Sequence, residues 1–229
     1  MPLPESLFQA KHKTFKSIVL DFITLKDYKN IEIEARIGKI TNKITKKRID
    51  FRIEHPIIFE SLPNEFCFES GVEEKDQMRI KRHLVGESPL TPLLDKVTIC
   101  NKIRKIESTL TPETVVFQKK EKIKSMDIYL PSFKYDVRIS VSMEMTVPAK
   151  EFVPKTTQLC RMRKRESAVF GPFSFDFTKI SKQNEKDLKS YEIELEIKDF
   201  SDGLSDFSNI VFALPVIKME FNNTMNPKA

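Results

Sequence analysis

Glutamate recurs at every second position in two short stretches that are far apart in the sequence: Glu32 and Glu34 in the first, and Glu192, Glu194 and Glu196 in the second. Alternation with period two is the pattern of a β-strand, so the carboxylates of each stretch share one face and apolar side chains occupy the other. Carboxylates from both stretches, gathered in one cavity, would bind a hard divalent cation such as Mg²⁺ or Mn²⁺. The alternative is a pair of amphipathic strands whose glutamates face solvent.

Arginine and lysine recur with the same spacing in other parts of the sequence. The clearest run is 161–165, which places three arginines on one face of a predicted strand. Arginine binds phosphate oxygens through paired hydrogen bonds, and lysine binds them as a point charge. The basic side chains expected on charged strand faces are Arg36, Arg104, Lys120, Lys122, Arg138, Arg161, Arg163 and Arg165.

Carboxylates and cations in one cavity would suit a phosphoanhydride that is chelated by a metal ion. The metal polarises the terminal phosphoryl group, the cations neutralise charge in the transition state, and a carboxylate orients water. Glu144 and Asp176 are two further carboxylates on charged strand faces. The sequence contains no GxxxxGK[ST] motif, so side chains rather than a glycine-rich loop would hold the phosphates.

Length and composition indicate a single domain. The sequence has 229 residues, of which 40% are apolar, and it shows no repeat and no clear linker. We predict one domain over 1–229, with a leader and a helix in 1–29, strands in 30–200, and a helix and tail in 201–229. The net charge of +6 suits a polyanionic partner such as RNA, DNA or polyphosphate, although many basic proteins have none.

The cysteines and histidines argue against several kinds of site. Cys67, Cys100 and Cys160 are widely spaced and odd in number, so no disulfide framework or zinc site is predicted, and a reducing compartment is expected. The three histidines are scattered, which argues against a histidine-based metal site or catalytic triad. We find no N-terminal apolar signal region and no apolar run of ~18 residues, so we expect no membrane segment.

Most predicted strands have one charged face and one apolar face. A closed barrel with a polar lumen explains all the charged faces at once, whereas an open sheet with one wet face explains them less directly. Mixed charges in such a lumen partly compensate one another. We predict strands at 31–37, 48–54, 76–83, 96–104, 115–123, 135–146, 161–165, 173–178 and 191–197, a mixed segment with a short helix at 57–68, a charged loop at 181–189, and helices at 6–25 and 204–216.

The order of these motifs resembles a known family. Ile31–Gly38 and Glu192–Glu196 are similar to the two glutamate-rich signatures of the fungal- and protozoan-type mRNA-capping RNA 5′-triphosphatases, in the triphosphate tunnel metalloenzyme superfamily. Between them, Tyr135–Glu144 resembles the central strand of the family and Arg161–Arg165 its basic strand. The resemblance covers about residues 30 to 200, and two such glutamate motifs with basic strands between them are a specific combination.

The resemblance implies a mainly β fold, an eight-stranded antiparallel tunnel with a few flanking helices. It implies that Glu32, Glu34 and Glu196 bind Mg²⁺ or Mn²⁺, and that Glu144 positions the attacking water. Further residues are implied as catalytic phosphate contacts (Arg104, Lys120, Arg163 and Arg165), as additional phosphate contacts (Arg138 and Arg161), and as supporting residues (Arg36, Asp176, Thr178, Glu192 and Glu194).

The sequence departs from the family pattern at two positions. Arg163 stands where the family commonly has lysine, and Ser174 stands where fungal members carry an arginine. Positions 76–83 match the family only loosely, so Asp76 and Arg79 are weaker candidates. The spacing alone does not decide whether Lys120 or Lys122 meets phosphate.

The implied function is metal-dependent removal of the γ-phosphate from nascent RNA, the first step of 5′ capping. Implied partners are 5′-triphosphate RNA, an mRNA guanylyltransferase and a second copy of the chain, and the implied location is the nucleus. One alternative is a tunnel-type tripolyphosphatase or nucleoside triphosphatase, whose signature usually has lysine where this sequence has Arg36. The other is a non-catalytic module that binds RNA ends or polyphosphate, for which the metal-site glutamates would be unnecessary.

Overall fold

The fold is a closed antiparallel β-barrel, as predicted. The computed structural model describes residues 15–86, 90–108, 114–154, 159–182 and 185–216. Its strands are β1 (Ile31–Asn42), β2 (Ile57–Phe59), β3 (Phe66–Ser70), β4 (Pro92–Cys100), β5 (Ile103–Ser108), β6 (Val115–Tyr129), β7 (Asp136–Thr146), β8 (Leu159–Phe170), β9 (Phe173–Lys182) and β10 (Glu185–Ile197), and its α-helices are α1 (Phe15–Ile23), α2 (Glu74–Val85) and α3 (Phe200–Val216).

Eight strands form the barrel, in the order β10, β9, β8, β4, β5, β6, β7 and β1. The barrel closes because β1 also pairs with β10, with Glu34 opposite Glu196 and Arg36 opposite Glu194. The two glutamate-rich strands are therefore neighbours in the wall. The short strand β2 pairs with β6, and β3 pairs with the end of β1, outside the closed ring.

The main hydrophobic core lies outside the barrel wall. Alternation in β1 turns Ile33, Ala35 and Ile37 away from the lumen, where they are at most 1% exposed. The outward faces of β7, β9 and β10 join them, and helices α1 and α3 cover this surface with residues such as Val19 and Phe207. The barrel is thus held together from outside, and its interior remains free for charged side chains.

A second apolar cluster lies around the C-terminal part of β1. Ile40, Ile49, Phe59 and Tyr129 pack there with β2 and β3. The carboxylate of Asp136 is fully buried beside it and accepts hydrogen bonds from the backbone N–H groups of residues 40 and 130, at 2.8 and 3.0 Å. The Arg48 Nε also donates to it, at 2.9 Å. This satisfied carboxylate ties β1, β7 and the segment that follows β1 into one unit.

Several predicted elements were wrong. The segment 76–83 belongs to helix α2, because Asp76, Gln77 and Ile80 form its buried face at helical spacing. The segment 48–54 is not a strand; it makes one isolated bridge, between Thr41 and Arg48. In that segment apolar and charged side chains alternate along irregular backbone, which produces the same period of two as a strand.

Three further boundaries differ from prediction. The segment 96–104 spans two strands, because Asn101 and Lys102 both have positive φ, 49° and 65°, and turn β4 into β5. The segment 57–68 contributes to two short strands instead of a helix. The predicted loop at 181–189 lies largely within β9 and β10. Part of the predicted helix at 6–25 lies outside the described residues.

Glycine is required at one close approach between strands. Gly38 of β1 is opposite Ser70 of β3, and a Cβ atom at Gly38 would lie 2.2 Å from the Glu69 carbonyl oxygen. No side chain fits that space, so Gly38 permits β3 to pair with β1.

Candidate active site

The barrel encloses a cavity of about 400 Å³. Its lining is dominated by charged side chains from seven of the eight strands, and β9 contributes Thr178 and Ile180. The charged lining residues are Glu32, Glu34, Arg36, Asp95, Arg104, Lys120, Glu144, Arg161, Arg163, Arg165, Glu192, Glu194, Glu196 and Lys198.

Lys120 lies among the carboxylates of β1 and β7. Its Nζ is 2.7 Å from both carboxylate oxygens of Glu32, 3.4 Å from Glu34 and 3.6 Å from Glu144. The Lys122 side chain is exposed and does not line the cavity, and a bulge in β6 follows it between residues 122 and 124. The structure therefore places Lys120, and not Lys122, in the cavity lining.

Arg36 joins the two glutamate-rich strands. Its Nη2 is 3.1 Å from Glu34 and 2.9 Å from Glu194. Burial alone would lower the pKa of the Arg36 guanidinium, but the negative charges of Glu194 and Glu34 outweigh burial and raise that pKa. This ion pair compensates part of the negative charge that closure of the barrel brings together.

The arginines of β8 have unequal carboxylate partners. Arg163 is 3.0 Å from Asp95, and Arg165 is 3.0 Å from Asp176 and 3.7 Å from Glu194. The Arg161 side chain makes no ion pair or hydrogen bond to any described residue, and its Nε is buried without a partner. Burial lowers the pKa of Arg161 and of Arg163, and neighbouring guanidinium groups lower it further. This side of the cavity carries positive charge that the described carboxylates only partly neutralise.

Several buried donors in the cavity lack a hydrogen-bond partner within the described chain. They are the Nε atoms of Arg36, Arg161, Arg163 and Arg165, and the hydroxyl of Thr178. Buried donors are nearly always satisfied in folded proteins. Their concentration in one charged cavity indicates that acceptor oxygens of a ligand belong there.

Two glutamates of β10 are held in an environment that favours their protonated forms. Burial raises the pKa of Glu192, and the nearby charge of Glu194 raises it further. Burial also raises the pKa of Glu196, although Lys198, whose Nζ is 2.6 Å away, opposes the change. A bound cation would relieve this repulsion between carboxylates.

Comparison with known proteins matches the chain to a family. The family model described as "mRNA capping enzyme, beta chain" matches residues 10–92 and 93–211, which is most of the sequence. The chain belongs to this family. Two relatives described as mRNA-capping enzyme subunit beta are 25% identical over 201 residues in Kluyveromyces lactis and 26% identical over 202 residues in Candida albicans. These matches cover 73% and 75% of the chain but 36% and 38% of the relatives, so the chain spans less than half of their length.

Solved structures support the same fold. The structure of S. pombe Pct1 RNA triphosphatase is similar with a TM-score of 0.66 and 20% identity, over 98% of this chain and 96% of that one. The Mimivirus capping enzyme triphosphatase is similar with a TM-score of 0.52 and 15% identity, over 88% and 96% of the two chains. The eight-stranded barrel of the capping enzyme beta chain family is therefore the fold of this chain.

Most residues implied by the family resemblance line the cavity. The exceptions are Asp176, which lies behind Arg165, and Arg138, which lies outside the cavity. The Arg138 guanidinium makes two hydrogen bonds to Asp127, at 2.7 and 2.9 Å, and lies over the ring of Phe68. Asp76 also lies elsewhere, in α2, where it accepts a 2.6 Å hydrogen bond from the Tyr135 hydroxyl.

The structure adds lining residues that sequence reasoning missed. Asp95 is buried and neutralises Arg163, Gln118 lies beside Lys120, and Lys198 follows the last glutamate. Asp95 was missed because the prediction merged β4 with β5 and began the strand at residue 96. Ser174, where fungal members carry arginine, donates a 3.0 Å hydrogen bond to Asp176 and so orients the partner of Arg165.

The cavity offers the donor set of a site for a hard cation. Glu34 and Glu196 are directly opposite in register, and Glu32 is close enough for its charge to raise the pKa of Glu196. No three His, Cys, Asp or Glu side chains in the described part of the chain are already arranged as ligands around one point. Lys120 and Lys198 instead contact these glutamates. The carboxylates suit Mg²⁺ or Mn²⁺ in ligand type, and a cation would compete with the lysines for their oxygens.

Cys67, Cys100 and Cys160 are all free thiols. No helix in the described ranges is long and apolar enough to cross a membrane.

Proposed function

We propose that this cavity removes the γ-phosphate from 5′-triphosphate RNA as the first step of mRNA capping, in a reaction that depends on Mg²⁺ or Mn²⁺. The observation that carries the proposal is the group of buried, unsatisfied arginine donors facing carboxylates in the closed barrel. Such a cavity needs an anion for its cations and a cation for its glutamates. A metal-chelated triphosphate supplies both.

Glu32, Glu34 and Glu196 would hold the metal, which would polarise the terminal phosphoryl group when bound. Glu32 and Glu34 lie on one strand face, and Glu196 extends from the neighbouring strand. In the structure, Lys120 contacts the carboxylates of Glu32 and Glu34. A cation on those oxygens would weaken these contacts and leave the lysine Nζ available for a phosphate oxygen.

The arginines of β8 would bind the phosphates. Arg163 and Arg165 are oriented by Asp95 and Asp176, so each presents its remaining donors in a defined direction. Arg161 and Arg104 add charge on the same side of the cavity. These donors would neutralise charge on the γ-phosphoryl oxygens in the transition state.

Glu144 would orient the attacking water. It lines the cavity, and its Oε1 is 3.6 Å from both Arg104 and Lys120. These two cations keep the carboxylate in place beside the proposed phosphate site. Arg36, Glu192 and Glu194 would support the site by balancing charge between β1 and β10.

Release of phosphate from a γ-labelled 5′-triphosphate oligoribonucleotide tests the proposal. We expect release with Mg²⁺ or Mn²⁺ and none in excess chelator. Glu144→Gln should lower the rate at least ~100-fold, the scale of a lost catalytic carboxylate. Glu121→Gln, on the same sheet in an exposed ion pair with Lys119, is the matched control and should retain activity.

Tripolyphosphate and ATP, assayed in parallel, distinguish the alternatives. Turnover of these small substrates without turnover of RNA would favour a tripolyphosphatase or nucleoside triphosphatase. Tight RNA binding without phosphate release from any substrate would favour a non-catalytic module.

The partners and location are part of the same proposal. The relatives are described as beta subunits of a capping enzyme, which supports an interaction of this chain with an mRNA guanylyltransferase. One structure of S. pombe Pct1 RNA triphosphatase is a complex with the Spt5 CTD, which supports a test of this chain for binding to a similar segment. The homodimer is proposed from the family resemblance, and the nuclear location from the proposed role in capping. Co-purification and size-exclusion chromatography test the two interactions.

A further inference from the structure

The cavity lining changes from charged to apolar along the wall built by β5 and β6. On β6 the lining positions run from Lys120 through Gln118 to Val116, and on β5 Ile106 follows Arg104. Ile106 and Val116 are directly opposite each other in register. Arg104 and Lys120 are therefore the last charged lining residues on β5 and β6, and Ser108 and Thr114 follow Ile106 and Val116 in the lining.

Leu93 of β4 also lines the cavity, but it is separated from these two residues. Asp95 and Ser108, which are opposite each other, lie between Leu93 and Ile106, and Leu93 is opposite Arg165 of β8. We name Ile106 and Val116 the apolar strip. Apolar surface that faces a water-filled, otherwise charged cavity is unfavourable until a ligand covers it.

The strip lies within reach of the proposed phosphate site. Two residues along a strand span about 7 Å, so Ile106 is about that far from Arg104, and Val116 is about 13 Å from Lys120. A triphosphate has no apolar surface for the strip to contact. The part of the substrate that follows the phosphates does, since a ribose and a base present apolar faces.

We propose that the apolar strip receives the ribose and base of the first nucleotide of the RNA. The inference rests on the proposed function and adds to it the source of selectivity for nucleotide-bearing triphosphates over inorganic tripolyphosphate. Aliphatic side chains contact the face of a base without hydrogen bonds to its edge. The strip therefore favours a nucleotide and accepts any of the four bases.

The test uses the full chain with the double substitution Ile106→Thr and Val116→Thr, which keeps both side chains branched and adds polarity. KM and kcat are measured for a 5′-triphosphate oligoribonucleotide, together with the inhibition constant of inorganic tripolyphosphate against it. We expect KM to rise five- to tenfold, while kcat and the tripolyphosphate inhibition constant stay within twofold of wild type. Ile44→Thr, at an 88% exposed apolar side chain far from the cavity, is the matched control.

Other outcomes overturn the inference. An unchanged KM would show that the strip does not meet the nucleotide. An equal weakening of RNA binding and tripolyphosphate binding would show that the substitutions disturb the phosphate site or the fold. The thermal midpoint of each variant distinguishes these two causes. A wild-type protein that releases no phosphate from RNA would contradict the proposed function itself, a result separate from these two.

Discussion

Asp95 and Arg163 allow the proposed phosphate site to be tested apart from catalysis. Their side chains are only 4% and 10% exposed, and a 3.0 Å contact joins them. Asp95→Asn removes the negative charge but keeps one acceptor oxygen for the guanidinium. Because a hydrogen bond between charged groups contributes about 1.5–3 kcal/mol, we expect a loss of that size. For a domain of this size it corresponds to a fall of about 3–12 °C in the thermal midpoint.

The same substitution should strengthen anion binding. Arg163 has other cations beside it, and Asp95 is the carboxylate that faces it. Once the carboxylate charge is removed, a phosphate oxygen becomes the best available partner for the guanidinium. A tenfold lower Kd for tripolyphosphate adds about 1.4 kcal/mol of ligand stabilisation at saturating ligand. The midpoint shift caused by the ligand should then exceed that of wild type by about 3–6 °C.

A matched pair on the outer part of the barrel supplies the control. Asp127, whose side chain is 4% exposed like that of Asp95, faces Arg138 at 2.7 Å, but outside the cavity. Asp127→Asn should lower the midpoint by a comparable amount and leave the ligand-induced shift equal to that of wild type. Differential scanning fluorimetry with and without tripolyphosphate measures both quantities. A ligand-induced shift in Asp95→Asn no larger than that of wild type would refute the reasoning and make Asp95 a residue that only positions Arg163.

Three further predictions concern the metal, the lysine and the fold. Glu34→Gln should raise the Mg²⁺ concentration needed for half-maximal phosphate release at least tenfold, which a metal titration measures. If the variant needs the same Mg²⁺ concentration as wild type, Glu34 serves only as an ion-pair partner of Arg36 and Lys120. Lys120→Ala should lower phosphate release at least ~10-fold while Lys122→Ala stays within twofold of wild type, because only Lys120 faces the cavity. Burial, together with a hydrogen bond to Asp76, raises the pKa of Tyr135 to about 12 in the folded protein, so the stability that the protonated tyrosine contributes is present below pH ~10 and lost between about pH 10 and 12. In urea unfolding, Tyr135→Phe should therefore lose less stability across this pH window than wild type. Parallel curves of stability against pH for the two proteins would contradict this.

The strand period and the charge pattern were sufficient to predict the barrel and most of its lining. Strict alternation at Glu32–Arg36 and Glu192–Glu196 assigned each carboxylate to one face, and closure of the ring then turned those faces inward. The helix at 74–85 could not be predicted in this way, because its buried Asp76 and Gln77 make polar contacts that no apolar period reveals. The position of Arg138 depended on Phe68 and Asp127, which approach it only in three dimensions.

The seam between β1 and β10 has a consequence for how the domain folds. Glu34 meets Glu196 across that seam, so the two glutamate-rich strands come from opposite ends of the barrel sequence and pair only after every intervening strand is available. Pairing of such distant segments is slow, because loop-closure entropy must be overcome before the contacts form. During synthesis on the ribosome, the carboxylate cluster cannot assemble until β10 has emerged. A nascent or truncated chain that lacks β10 therefore exposes an unpaired edge of β1, so that both solubility and activity depend on the presence of β10.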